Sequence, residues 1–144
     1  MKATYTKYLL NFRNTAKTSR GDLKQKETYL LRIANEKNTG FGECAIFRGL
    51  SSDDHPDYEQ KIQWACKHIH LGMEALYNEL ASYPSIVFGV EQAFLSLNSS
   101  NGFDLFPSLF TQSIGQIPIN GLIWMGDPSY VKQQVDDCVE KGFT

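Results

Sequence analysis

Gly40-Phe41-Gly42-Glu43-Cys44-Ala45-Ile46-Phe47-Arg48-Gly49-Leu50-Ser51 is the stretch from which the rest of the chain is read. Its apolar residues are interrupted by glycines, which weaken a strand and mark a bulge or a close approach by another group. The segment therefore reads as a short strand running into a loop. Arg48 stands between Phe47 and Gly49 at that junction. A guanidinium fork pairs bidentately with carboxylates, so Arg48 is a candidate anion clamp. It reads equally as a solvated arginine beyond the end of a hairpin strand. The residues leave both readings open.

Upstream, Tyr29, Leu31 and Ile33 alternate with Thr28, Leu30 and Arg32, the pattern of a strand over residues 26–34. Asn35-Glu36-Lys37-Asn38-Thr39-Gly40 supplies the turn between the two. Residues 3–13 make a first strand, Tyr8, Leu10 and Phe12 alternating with Lys7, Asn11 and Arg13. Residues 14–24 are polar and without period, and read as a long loop, either a binding lid or a mobile hairpin tip. Short consecutive strands usually pair with their neighbours, which predicts a three-stranded antiparallel meander.

Downstream, Ser51-Ser52-Asp53-Asp54-His55-Pro56 has the residues of a turn and helix start. Tyr58, Ile62, Ala65, Cys66, Ile69 and Met73 then recur at helical spacing, with Gly72 placed to divide the helix. Pro84 fits the first turn of a second helix, whose face is Ile86, Val90, Ala93, Phe94 and Leu97. Residues 103–110 read as an apolar, docked connector. Residues 117–125 then form a nearly continuous apolar run, the signature of a strand buried on both faces. Asp127 is a helix cap, Pro128 a first helical residue and Gly142 a helix stop, around a predicted buried stripe of Val131, Val135, Cys138 and Val139. Strand, cap and amphipathic helix together open a parallel β/α unit, and the pattern expects a further strand after Thr144.

The 144 residues fit one domain, or one with part of another, and 42% apolar with 21% charged residues suffices for a real core. A net charge of -2 offers no basic surplus for nucleic acid or an anionic membrane, so any anion recognition is local. No run reaches the ~20 apolar residues of a membrane span. Cys44, Cys66 and Cys138 are scattered and odd in number, which suits a reducing compartment and a cytoplasmic protein. Glu43 lacks a visible catalytic partner and reads as a structural hydrogen-bonding carboxylate. Cys66 and His70 are one helical turn apart, yet two ligands do not make a metal site.

In their order, these segments resemble the enolase superfamily, in which a meander-and-helices capping domain precedes a modified (β/α) barrel. Gly40-Phe41-Gly42-Glu43 is similar to the family's Gly-x-Gly-Glu, Gly89-Val90-Glu91-Gln92-Ala93-Phe94-Leu95 to its capping helix, and Pro118-Ile119-Asn120-Gly121-Leu122-Ile123 to its first barrel strand. Thr18-Ser19-Arg20-Gly21 and residues 42–51 resemble more narrowly the o-succinylbenzoate synthases of Bacteroides-type bacteria. Dipeptide epimerases and muconate cycloisomerases share the layout, and a self-sufficient interaction module is the rival reading from another class.

The resemblance implies an α+β fold, with a capping domain over residues 1–116 and the first strand and helix of a truncated barrel over 117–144. It implies a Mg²⁺-dependent lyase of menaquinone biosynthesis, dehydrating 2-succinyl-6-hydroxy-2,4-cyclohexadiene-1-carboxylate. In such enzymes a lysine removes the proton α to the carboxylate while the metal stabilises the enediolate. The family's Lys-x-Lys and acidic metal ligands have no counterpart among these residues, so no catalytic or metal residue is carried over and this chain is expected to be inactive and metal-free by itself. Its expected share is the substrate lid: Ser19 and Arg20 from the first loop, and Phe47, Arg48, Gly49 and Leu50 from the second. The expected ligand is a small carboxylate, with no nucleic acid or membrane. An unpaired barrel strand is expected to drive self-association or domain swapping.

Overall fold

A computed structural model describes residues 1–18 and 21–143. Three strands, β1 (Lys2–Thr18), β2 (Gly21–Ala34) and β3 (Thr39–Ile46), form one sheet in the order β1-β2-β3. The strands are antiparallel, as the alternation predicts. Between β2 and β3 the register sets Tyr29 opposite Cys44, Leu31 opposite Gly42 and Ile33 opposite Gly40. Period-two geometry then sends Tyr29, Leu31, Ile33, Cys44 and Ile46 to one buried face, while Leu30 and Phe41 face outward.

Four helices follow: α1 (Tyr58–Lys67), α2 (Met73–Glu79), α3 (Pro84–Asn98) and α4 (Pro128–Glu140). Tyr58, Ile62 and Ala65 of α1, Leu76 of α2, and Ile86, Val90, Ala93 and Leu97 of α3 meet the sheet in a single core. Each large side chain there stabilises the fold by about 1.5–3 kcal/mol through burial. Gly72, at φ 82°, separates α2 from the short 3₁₀ turn Ile69–Leu71, and Pro84 opens α3, both as read from the residues.

The closest packing is that of α3 on β3. A Cβ built on Gly42 would lie 1.9 Å from the Gly89 carbonyl oxygen, and one on Gly40 would lie 2.2 Å from that of Ala93. From the helix side, a Cβ on Gly89 would meet the Cys44 Sγ at 2.4 Å. The glycines of the motif therefore bring strand and helix backbones into contact. At that distance helix side chains reach the strand's own amides. Ser96 Oγ accepts from the Phe41 N–H at 2.9 Å, and Gln92 Oε1 from that of Glu43 at 3.1 Å.

No side chain of its own caps the start of α3. The cap comes from Asp53, buried at 2% exposure, whose Oδ2 accepts from the Ser85 amide at 2.9 Å and the Ser85 hydroxyl at 2.6 Å. That hydroxyl shares a 2.6 Å bond with Tyr58, so cap and core are joined.

The structure corrects several of the readings. Residues 14–24, read as a loop, are largely paired strand: β1 runs to Thr18 and β2 begins at Gly21. A hairpin arm with both faces polar needs only its backbone ladder and shows no apolar alternation. The connector over 103–110 is not docked, for Phe103 is 78% exposed and Phe106, Leu109 and Phe110 are exposed with it. Phe103 does stack on Phe41, at a centroid distance of 5.8 Å. Finally, α4 has no fully buried residue: of its expected stripe Val131 and Cys138 are half-buried, and Val135 and Val139 are exposed.

The chain gathers into two compact units, Met1–Asn11 with Gln25–Pro107, and Phe12–Lys24 with Ser108–Thr144. Within the second, Asp127 accepts from the amides of Ser129 and Tyr130 and Pro128 follows it, as expected of a capped start. Gly142 ends the helix at φ 84°, with the Phe143 amide bonded back to the Cys138 carbonyl. The apolar run 117–125 is not paired in a sheet: a strand needs a hydrogen-bonded neighbour, and among the described residues the sheet holds β1, β2 and β3 alone. The side-chain amide of Gln134 bonds both the N–H and the C=O of Trp124, at 2.8 and 2.9 Å, taking the place of a neighbouring strand.

Candidate functional site

The Arg48 turn is built from its backbone outward. Leu50 and Ser51 donate their amides to the Phe47 carbonyl, and Ser51 Oγ accepts the Phe47 N–H at 2.9 Å. Gly49 takes φ 75°, a conformation that favours glycine, and Arg48 and Gly49 are exposed while Phe47 and Leu50 are half-buried. The four residues expected from this loop thus share one tight turn.

The Arg48 guanidinium pairs with two carboxylates. It lies 2.6 Å from Glu27 Oε1 and 2.6 Å from Asp54 Oδ1, and its plane lies over the Tyr58 ring at 5.7 Å. Asp54 uses its second oxygen to accept the Gly49 N–H at 2.6 Å. Glu27 uses its own second oxygen for Lys7, at 2.8 Å. The Gly49 amide, with Arg48, holds the Asp54 carboxyl below its ordinary value. Burial pushes the Glu27 carboxyl up, but the hydrogen bonds from Lys7 and Arg48 prevail and hold it low. The bond to Asp54, reinforced by Glu27, raises Arg48 further above its already basic value. In this arrangement Arg48 is a strut between two carboxylates, with its side chain still 44% exposed.

The second candidate surface lies in the other unit. A cavity of about 400 Å³ is lined by Asn14, Thr15 and Lys17 of the hairpin arm and by Trp124, Met125, Gly126, Asp127 and Tyr130. Close packing shapes its floor, since a Cβ on Gly126 would meet the Tyr130 ring at 2.5 Å. One ammonium and two aromatic rings suit a small, flat, anionic molecule, while the Asp127 Oδ1 is taken by Ser129 and the Tyr130 amide. Ser19 and Arg20 lie outside the described residues. The reading of residues overlooked Lys17, Trp124 and Tyr130. The visible signal was an aromatic and a helix cap directly after an apolar run, where open α/β folds place ligands.

Glu43 has the structural role expected of it. It accepts from Lys26 Nζ at 2.7 Å and Thr28 Oγ1 at 3.2 Å, and the Lys26 bond chiefly holds its carboxyl low. His68 stacks on Trp64 at 4.3 Å, and burial pushes the Cys66 thiol up to about 11, which leaves it a poor ligand and nucleophile. Among the described residues no three His, Cys, Asp or Glu side chains gather in a way that could hold a metal ion, so the donor set for Mg²⁺ does not fit there. No helix among them is long and apolar enough to cross a membrane.

Comparison with known proteins agrees with this architecture. The family model described as the MenC N-terminal domain matches residues 1–97. An o-succinylbenzoate synthase of Desulfotalea psychrophila is 25% identical over 99% of this chain and 47% of its own length. The crystal structure of MenC from that organism superposes with a TM-score of 0.64 at 23% identity, covering 99% of this chain and 47% of that one. The L-Ala-D/L-Glu epimerase of Bacillus subtilis gives 0.65 at 15% identity, covering 99% and 44%. The chain thus spans about half the length of the curated relative it matches. The sheet followed by helices is the capping-domain fold of these proteins.

Proposed function

This chain belongs to the MenC N-terminal domain family, within the enolase superfamily, and from that premise we propose that it supplies the substrate-specificity lid of an o-succinylbenzoate synthase-like lyase. The reaction is the dehydration of 2-succinyl-6-hydroxy-2,4-cyclohexadiene-1-carboxylate in the cytoplasm; Mg²⁺ would be held by residues other than those described here and would supply charge neutralisation. The observation that carries the reading is the cavity of about 400 Å³ lined by Lys17, Trp124 and Tyr130, which offers a small carboxylate one ammonium and two rings. Lys17 meets a carboxylate of the substrate as a point charge, while the two rings cover its apolar body and exclude water. Phe47, Arg48, Gly49 and Leu50, all in the first unit, are candidate substrate contacts in their own right.

The exposed apolar residues of the second unit support a further part of this proposal, association between copies. Ile117, Ile119 and Leu122 are exposed in one short stretch, at 59, 76 and 69%. A single set of solution measurements tests the whole reading. With substrate and Mg²⁺ the chain alone is expected to show no loss of diene absorbance. The product, o-succinylbenzoate, is expected to quench Trp124 fluorescence in a Trp64→Phe background, about tenfold more weakly after Lys17→Gln. Sedimentation at micromolar concentration is expected to give more than a monomer. Turnover would refute the assignment of chemistry elsewhere, absence of quenching would refute the lid, and a clean monomer would refute the association.

A further inference from the structure

We propose that Glu27 is a positioning residue for the substrate-facing turn 47–51, acting through Arg48. Glu27 lies on β2 and the turn follows β3, with Glu27 paired to Ile46 across the sheet. The turn therefore leaves the sheet one residue beyond the carboxylate that can hold it. Glu27 has only 15% of its side chain exposed and is fixed from behind by Lys7 at 2.8 Å and by the Tyr29 hydroxyl at 3.2 Å. Its Oε1 receives both the Nε and an Nη of Arg48, at 2.8 and 2.6 Å. The opposite Nη reaches Asp54, which in turn holds the Gly49 amide.

The order of these bonds assigns the roles. Glu27 is anchored in the sheet, Arg48 bridges, and Asp54 closes the ring on the one residue of the turn with a positive φ. A planar fork spans two carboxylates at fixed angles, whereas a lysine's compact ammonium on a flexible stem does not fix those angles. The ring thus sets the path of the Gly49 backbone, and with it the presentation of Phe47 and Leu50 at half-burial. The lid reading above enters only in what the turn is held for. The holding itself is a property of the chain without substrate, and it is measured so.

The test is hydrogen exchange and ¹⁵N NMR on the intact chain without ligand. In the parent protein the Gly49 amide is expected to be protected, and the Arg48 Nε–H to give a resonance that exchanges slowly with water. Glu27→Gln, which keeps shape and removes charge, is expected to speed exchange at Gly49 by about tenfold or more and to erase the Arg48 resonance. The amides of the Tyr29–Cys44 ladder are expected to stay within about twofold. Arg48→Lys is expected to reproduce the loss despite its retained charge, and it provides the readout if Glu27→Gln does not fold. Unchanged protection at Gly49 in either variant overturns the proposal, as does an equal rise at Gly49 and in the ladder, which would mark a general loss of stability. Quenching of Trp124 by product reports on the lid reading separately and is expected to survive both substitutions.

Discussion

Gly42→Ala is expected to destabilise the protein by at least about 3 kcal/mol and to lower its melting temperature by about 10 °C or more. The added methyl would lie 1.9 Å from the carbonyl oxygen of Gly89, where no real Cβ is found. Neither party can yield by rotating a side chain, because the obstacle is helix backbone and the strand is held in register opposite Leu31. The only relief is to move α3 off the sheet, which opens the core around Val90 and Ala93. Gly89→Ala is expected to be severe as well, but its first obstacle is the Cys44 Sγ at 2.4 Å, a side-chain atom. Combining it with Cys44→Ala should therefore recover part of the loss, whereas no substitution of a neighbouring side chain rescues Gly42→Ala. Thermal unfolding by circular dichroism measures all three, and a Gly42→Ala protein that melts within a few degrees of the parent would show that strand and helix are not in backbone contact.

Asp53→Ala is the second large effect, with an expected cost of about 2–4 kcal/mol. Three consequences fall together: the Ser85 amide at the start of α3 loses its acceptor, the Ser85 hydroxyl loses its own, and a space opens at a site with 2% exposure. Asp53→Asn retains an acceptor for the amide and is expected to cost about 1 kcal/mol. Urea titration separates the two. Equal costs for Ala and Asn would mean that the charge, and not the cap, is what α3 requires.

The glycine contact was legible in the chain, because glycines within a strand pattern announce close approach before the approaching element is known. So were the helix break at Gly72, the Pro84 start and the Asp127 cap, each fixed by one residue and its immediate neighbours. What could not be read depended on partners distant along the chain. Asp53 caps a helix that begins some thirty residues later, and nothing local distinguishes it from Asp54. That Arg48 spans two carboxylates could not be read, because Glu27 and Asp54 converge on it only through strand register and the fold of the turn. The strand pairing within 14–24 escaped notice for the opposite reason: with both faces polar the arm carries no apolar rhythm, and its ladder is invisible in the side chains. The run at 117–125 has every local mark of a buried strand, yet pairing is a property of two segments.

The hydrogen bonds from Phe41 and Glu43 to the side chains of Ser96 and Gln92 have an outcome for encounters between molecules. Sheets grow by recruiting unpaired amides at their margins, the step that begins most fibril formation. On the β3 margin those donors are already spoken for by a helix lying alongside, so an incoming polypeptide would have to displace α3 before it could add there. Recruitment is left to the opposite margin, along residues 2–11 of β1, where Lys2 and Lys7 discourage a second identical strand from aligning.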